Sequence, residues 1–256
     1  MKRILQYFLR KLGYAKIPPK KQTNANIFPD ILDKEFWEVY NFCKPYTKTS
    51  VERMYNLFCS VKYILSKNLE GDFVECGVWR GGSSMLMAKM LANRGISNRK
   101  IYLFDTFEGM PPSSSVDITY KGMEANTLLA DNIDNKEESI WCLASLEEVK
   151  RNLNSTNFPE SNLIYVKGKV EETLPSYQPA DRIALLRLDT DWYESTKHEL
   201  NVLFPLVVEN GVLIIDDYGH WQGCRKAVDE YFDAHNYPVM LNRIDYTGRM
   251  AIKNFS

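Results

Sequence analysis

The sequence predicts an α/β fold: a mostly parallel seven-stranded sheet, finished by a C-terminal antiparallel hairpin, with helices on both faces. Three observations carry this expectation. From residue 72 onward, short apolar runs alternate with stretches of helical periodicity, the pattern of parallel strands joined by crossover helices. Each of the main apolar runs ends on an acid or a glycine, where open α/β sheets bind their ligands. Residues 72–84 read as a buried strand, a glycine-rich turn and a helix start.

The chain begins differently. Residues 1–21 carry seven Lys or Arg and no acid, and Ile4, Leu5, Phe8, Leu9 and Leu12 share one helical face that ends near Gly13. Such a basic amphipathic helix either lies on an anionic membrane surface or, more plainly, packs on its own domain or a partner subunit. Ile17-Pro18-Pro19 and the polar run to Asn26 read as a linker, and Phe36, Trp37 and Tyr40 as a further helical piece. Residues 1–48 are therefore expected to form an N-terminal helical and basic segment ahead of a domain over 49–256. Thr49-Ser50-Val51-Glu52 has the form of a capping box with Thr49 as N-cap, and the helix after it recurs on Val51, Met54, Tyr55, Phe58, Val61 and Leu65.

Strands are expected over 72–76, 100–104 ending on Asp105, 163–166, 183–188 ending on Asp189, and 212–215 ending on Asp216 and Asp217. Helices are expected over 84–92, 146–153, 194–208 and 227–235. The second and third strands are too far apart for one crossover helix, so 109–145 reads as a lid inserted over the site. Residues 239–243 and 250–253, joined through Tyr246-Thr247-Gly248, form the closing hairpin.

Composition narrows the partners. A formal net charge of -1 with 25% charged residues gives no electrostatic case for nucleic acid. Five scattered cysteines without a C-x-x-C pair argue against a disulfide framework and a zinc site, and for a reducing compartment. No apolar run approaches the ~20 residues of a membrane span, and no signal-peptide pattern is present, so a cytoplasmic location is expected.

In the turn after the first strand, Gly77, Gly81 and Gly82 let bare backbone approach a ligand at a helix N-terminus. The spacing G-x-x-x-G-G departs from the dinucleotide fingerprint, and Glu75 would repel a pyrophosphate but suit an amine or a ribose. An acid followed by a glycine loop points to S-adenosylmethionine; the bland alternative is an ordinary strand-to-helix turn. Asp105 is placed either to accept ribose hydroxyls or to cap a helix. Asp189, Asp191, Asp216 and Asp217 are four acids on neighbouring strand ends. Unpaired, they would raise one another's pKa, which makes a hard cation, Mg2+ first, the economical explanation over N-caps and solvated loop acids. Of the three histidines, His198 reads as a packing or surface residue and His235 as a helix C-terminal partner. His220, after the acid pair, is a candidate for substrate contact or proton transfer.

Four motifs occur in order: Glu75-Cys76-Gly77-Val78-Trp79-Arg80-Gly81-Gly82-Ser83, Phe104-Asp105-Thr106-Phe107-Glu108-Gly109-Met110-Pro111, Leu186-Arg187-Leu188-Asp189-Thr190-Asp191-Trp192-Tyr193-Glu194-Ser195-Thr196, and Ile214-Ile215-Asp216-Asp217-Tyr218 through Gly223-Cys224-Arg225-Lys226-Ala227-Val228. Together they resemble the macrocin O-methyltransferase (TylF-like) family from about Ser50 to the C-terminus. The resemblance implies a Rossmann-like class I enzyme, dependent on S-adenosylmethionine and Mg2+, that methylates a sugar hydroxyl. Carried over by motif, Glu75, Cys76, Gly77, Val78, Trp79, Gly81, Gly82 and Ser83 would hold the methionine end of the cofactor. Asp105 and Thr106 would meet the ribose, Gly168, Lys169, Val170 and Glu171 would flank the adenine, and Asp189, Asp216 and Asp217 would ligate the metal. Catechol-type relatives place a lysine where Trp192 stands, so the proton acceptor is expected to be Asp189 or Asp191, with His220 third. The implied acceptor is a natural-product glycoside, a nucleotide sugar or a surface polysaccharide, and a homodimer is expected. The alternative function is a metal-dependent hydrolase using the same aspartates.

Overall fold

The computed structural model describes residues 27–176 and 181–254; the basic helix expected over 1–21 and the linker after it lie outside the described residues. The chain divides into two units, Met1–Glu35 and Phe36–Ser256. In the first, the described residues form a turn closed by the Ile31 N–H on the Phe28 carbonyl (3.2 Å). The larger unit includes residues ahead of 49 because most of helix α1 (Lys34–Cys43) packs within it: Phe36, Val39, Tyr40 and Cys43 are buried. The Phe36 ring lies 4.9 Å from Tyr55 and 5.5 Å from Phe58 on α2 (Val51–Ser66). Ser50, not Thr49, caps α2, accepting the Arg53 N–H at 3.2 Å. Thr49 is drawn elsewhere, its Oγ1 accepting from Arg187 Nη2 (3.2 Å).

The sheet has seven strands in the order β3-β2-β1-β4-β5-β7-β6. They are β1 (Asp72–Cys76), β2 (Ile101–Asp105), β3 (Leu163–Lys167), β4 (Ile183–Leu188), β5 (Val207–Ile215), β6 (Asn242–Arg243) and β7 (Arg249–Ile252). The first five are parallel and β7 runs antiparallel to β5. Their strongly apolar sequences follow from burial on both faces, and β4 is buried at every position. The chain moves outward from β1 to β2 and β3, then returns to the other side of β1 for β4 and β5. That reversal opens a crevice at the carboxyl ends of β1 and β4.

Register decides what meets there. Cys76 stands opposite both Phe104 and Leu188, and Leu188 opposite Ile215. The next residues, Gly77, Asp105, Asp189 and Asp216, therefore form one row. Helix α3 (Gly82–Ala92) follows β1. The insert after β2 contains α4 (Ala125–Asp131), and α5 (Leu146–Asn154) is the crossover helix. Next come the short α6 (Val170–Thr173), then α7 (Tyr193–Leu203) and α8 (Gln222–His235). Helix α7 stops at Leu203 rather than continuing to 208 because Pro205 follows; one 3-10 turn intervenes and β5 starts at Val207. Strand β6 is two residues, shorter than the run 239–243 suggested. No helix among the described residues is long and apolar enough to cross a membrane.

The insert is pinned to the glycine loop. Trp79 Nε1 donates to the Glu137 carbonyl (3.2 Å), Arg80 pairs with Glu138 (2.7 Å) and Glu148 (3.1 Å), and Lys48 Nζ donates to the Ser139 carbonyl (2.7 Å). Beneath it, Gly77 takes φ +81°, and a Cβ there would overlap the Asp189 backbone carbonyl. The β1 and β4 ends can approach this closely only without a side chain. Gly77→Ala is expected to lower unfolding free energy by about 2–4 kcal/mol, measured by urea unfolding; a change within about 0.5 kcal/mol would refute the close-approach argument.

Candidate active site

A cavity of about 560 Å3 opens over the row of strand ends. Its wall includes Gly77, Val78, Trp79, Gly82 and Ser83 from the loop, Asp105 and Thr106, and Gly168, Lys169, Val170 and Glu171 after β3. Asp189, Asp191, Asp216, Asp217 and His220 complete the opposite side. Glu75, Cys76 and Gly81 are not among the residues that line it.

On the loop side, Asp105 is an organiser. Its Oδ2 accepts the Val78 (2.6 Å) and Trp79 (3.1 Å) N–H groups, and its Oδ1 accepts that of Phe107 (2.7 Å). Burial raises its pKa, and these backbone donors oppose the rise. Glu75 lies behind the loop, held by the Ser84 hydroxyl and by Arg187 Nη1 (2.7 Å). Burial pushes its carboxyl up to about 7, against the pull of Arg187. On the β3 side the Ser195 hydroxyl donates to Glu171 Oε1 (2.6 Å), joining the start of α7 to the segment after β3.

The four acids do not behave alike. Asp189, Asp191 and Asp217 offer carboxylate oxygens within 4.8 Å of one another. Asp216, expected among the metal ligands, turns instead to two guanidiniums: Arg187 Nη2 donates to Oδ1 at 2.6 Å, and Arg53 meets Oδ2. Its place in the acid group falls to Asp191, whose φ of +67° follows from the tight turn closed by the Trp192 N–H on the Thr190 carbonyl (2.7 Å). Asp217 Oδ2 is buried without a hydrogen-bonding partner among the described residues. Three convergent hard oxygen donors, one of them unsatisfied, fit a divalent cation such as Mg2+. Desolvation and the neighbouring Asp217 push Asp189 up to about 7, Arg187 opposing, and hold Asp191 well above the usual carboxylate range.

His220 faces the cavity with Nδ1 3.1 Å from the Tyr246 hydroxyl, and burial together with Arg53 and Lys121 lowers its pKa. Sequence reasoning passed over Arg187, Arg53 and Tyr246. Arg187 carried a signal, a charge inside the apolar run 183–188, whereas Arg53 and Tyr246 looked like ordinary helix and loop residues.

The raised carboxyls link stability to pH. With Asp189 and Glu75 near 7 in the fold and about 4 when unfolded, the native state holds protons that the unfolded chain has shed. Stability from these groups therefore falls as pH rises from about 4 through 7. Chelator-treated protein is expected to melt at a lower temperature at pH 8 than at pH 6, and Mg2+ to raise the melting temperature more at pH 8, where fewer protons compete. Thermal fluorimetry decides it, and an Mg2+ shift equal at both pH values would contradict the assignment.

This sheet order, with the row of glycine and acids at its switch point, defines a class I methyltransferase fold. The macrocin O-methyltransferase (TylF) family matches residues 42–251. A tetracenomycin 4'-O-methyltransferase acting on a dimethoxy-rhamnosyl compound, from Streptomyces olivaceus, is 35% identical over 79% of this chain and 74% of its own length. Demethyldecarbamoylnovobiocin O-methyltransferase from Streptomyces niveus is 33% identical over 77% of this chain and 73% of its own. The solved structure of the O-methyltransferase NovP superposes with a TM-score of 0.71 at 32% identity, covering 82% of this chain and 83% of that one. The chain belongs to the macrocin O-methyltransferase family, and it is an O-methyltransferase.

Proposed function

We propose that this enzyme transfers the methyl group of S-adenosylmethionine to a hydroxyl of a sugar-containing acceptor, with Mg2+ at the acid group. The observation that carries the reading is the cluster of Asp189, Asp191 and Asp217 facing the same cavity as the glycine loop. The relative named for methylating a dimethoxy-rhamnosyl compound supports the sugar acceptor. The hydrolase alternative gains no support from any of the relatives.

In this reading the loop from Gly77 to Ser83 receives the methionine end of the cofactor, Asp105 and Thr106 the ribose, and residues 168–171 the adenine. Glu75 acts from behind, through Ser84 and Arg187. S-adenosylmethionine supplies a methyl group on a sulfonium, open to in-line displacement by an oxygen. Asp189 and Asp217 hold the cation, which when bound supplies the positive charge that lowers the pKa of a sugar hydroxyl beside it. Asp191, the third carboxylate of the cluster, accepts the proton of that hydroxyl. Asp216, a metal ligand by family resemblance, serves here as the counter-ion of Arg187 and Arg53. His220 and Tyr246 stand at the acceptor side of the cavity and orient the sugar.

Calorimetric titration of S-adenosylhomocysteine into the full-length protein tests the cofactor. Micromolar binding is expected, weakened at least about tenfold by Asp105→Ala, the order of one charge-assisted contact; absence of binding would overturn the methyltransfer reading. Asp191→Asn is expected to cut methyl transfer to a responsive sugar acceptor by about 10²–10⁴ while leaving S-adenosylhomocysteine affinity intact. Retained activity would remove Asp191 as the proton acceptor.

A further inference from the structure

Helix α7 turns one face into the core, and along that face Thr196, Leu200 and Leu203 are joined by Glu199. Glu199 is fully buried. A glutamate in that stripe is costly unless its polar atoms are used. One is: the Thr190 hydroxyl donates to Glu199 Oε2 at 3.2 Å, reaching back from the second turn of the helix to the turn that precedes it. The Cys76 thiol, at the end of β1, lies beside the same carboxyl. Oε1 has no hydrogen-bonding partner among the described residues. Thr190 is the residue between Asp189 and Asp191, so the carboxyl stands directly behind the turn that aims both acids into the cavity.

We propose that Glu199 is a positioning residue, its buried carboxyl holding the Thr190 hydroxyl and so fixing the turn that sets Asp189 for the cation and Asp191 beside it. This rests on the Mg2+ reading above. Glu199 acts through a hydrogen bond and not as a charge: burial raises its pKa well above the usual range, and the charged neighbours acting on it, Glu171 and Asp189, are themselves acids. A fourth negative charge there would repel the acid cluster. A neutral carboxylic acid holds the turn without adding to that repulsion.

The test uses the full-length protein and Mn2+ as the probe, titrated by electron paramagnetic resonance, with S-adenosylhomocysteine calorimetry in chelator as the control. Glu199→Ala and Thr190→Val are each expected to weaken Mn2+ binding by about 10- to 100-fold, with the double variant no weaker than the worse single one, because both remove the same hydrogen bond. Glu199→Gln, which keeps a hydrogen-bonding group of the same size, is expected to stay within about threefold of wild type, a difference of under 1 kcal/mol. S-adenosylhomocysteine affinity should be unchanged in all of them. Unchanged Mn2+ affinity in Thr190→Val and Glu199→Ala would overturn the proposal, and if the alanine variant does not fold, Thr190→Val and Glu199→Gln decide it. A glutamine variant as weak as alanine would overturn the neutral hydrogen-bonding role. Wild-type protein without Mn2+ binding would instead bring down the metal reading, and the proposal with it.

Discussion

The structure depends on one buried guanidinium. Arg187 points from the middle strand β4 into the floor of the site, only 2% exposed, and binds Glu75 from β1, Asp189 from its own strand end and Asp216 from β5. Three neighbouring strand ends are thereby held by one residue. Burying such a group is not itself stabilising, since desolvation offsets much of the Coulomb gain, but removing one partner would strand the others at a cost of roughly 3–5 kcal/mol. Arg187 therefore does more to specify the arrangement of the strand ends than to stabilise the fold as a whole.

From that centre the constraint spreads outward. Arg53 on α2 shares Asp216 with Arg187 and reaches Asp245 in the hairpin turn at 3.1 Å, while Ser50, the cap of the same helix, donates to Asp245 at 2.8 Å. Helix α2, strand β5 and the hairpin between β6 and β7 are thus joined beneath His220 and Tyr246. On the other side Asp105 ties the glycine loop to the turn after β2, fixing the Val78 and Trp79 N–H groups of the one and the Phe107 N–H of the other with one carboxylate.

Most of this frame was legible in the sequence because it rests on local chemistry. Buried strands read as apolar runs, their ends as acids and glycines, and the parallel sheet as their alternation with helices. What escaped was pairing between distant residues. The capping-box pattern points to Thr49, and only the position of Arg187, 138 residues later, draws Thr49 away. Asp216 and Asp217 are adjacent identical side chains. Successive residues leaving a strand point to opposite sides, so Asp216 meets the arginines and Asp217 the other acids, and no composition rule says which. Asp191, expected among the acids, reaches them through a positive φ, a conformation that the D-T-D-W run does not announce.

In the proposed reading the two sides of the cavity, one for the cofactor and one for the acceptor, are built differently. The cofactor side is built on strand ends and a turn whose geometry follows from register, so its chemistry is fixed by the fold. The side proposed for the acceptor is built from the insert and the segment after β5, which meet through backbone groups: the Gln222 N–H donates to the Ile118 carbonyl at 2.8 Å, and the Tyr120 N–H donates to the His220 carbonyl at 2.8 Å. Main-chain bonds hold a loop in place without dictating the side chains it presents. Tyr120, about half exposed, projects from this junction toward His220 and Tyr246, with ring centroids 5.7 and 5.9 Å away. A rim of exposed aromatic faces beside buried acids suits a sugar ring, apolar on its C–H face and polar at its hydroxyls. Because that rim is carried on main-chain scaffolding, the acceptor preference proposed to reside there is open to change by substitution without disturbing Arg187, Asp105 or the row of strand ends.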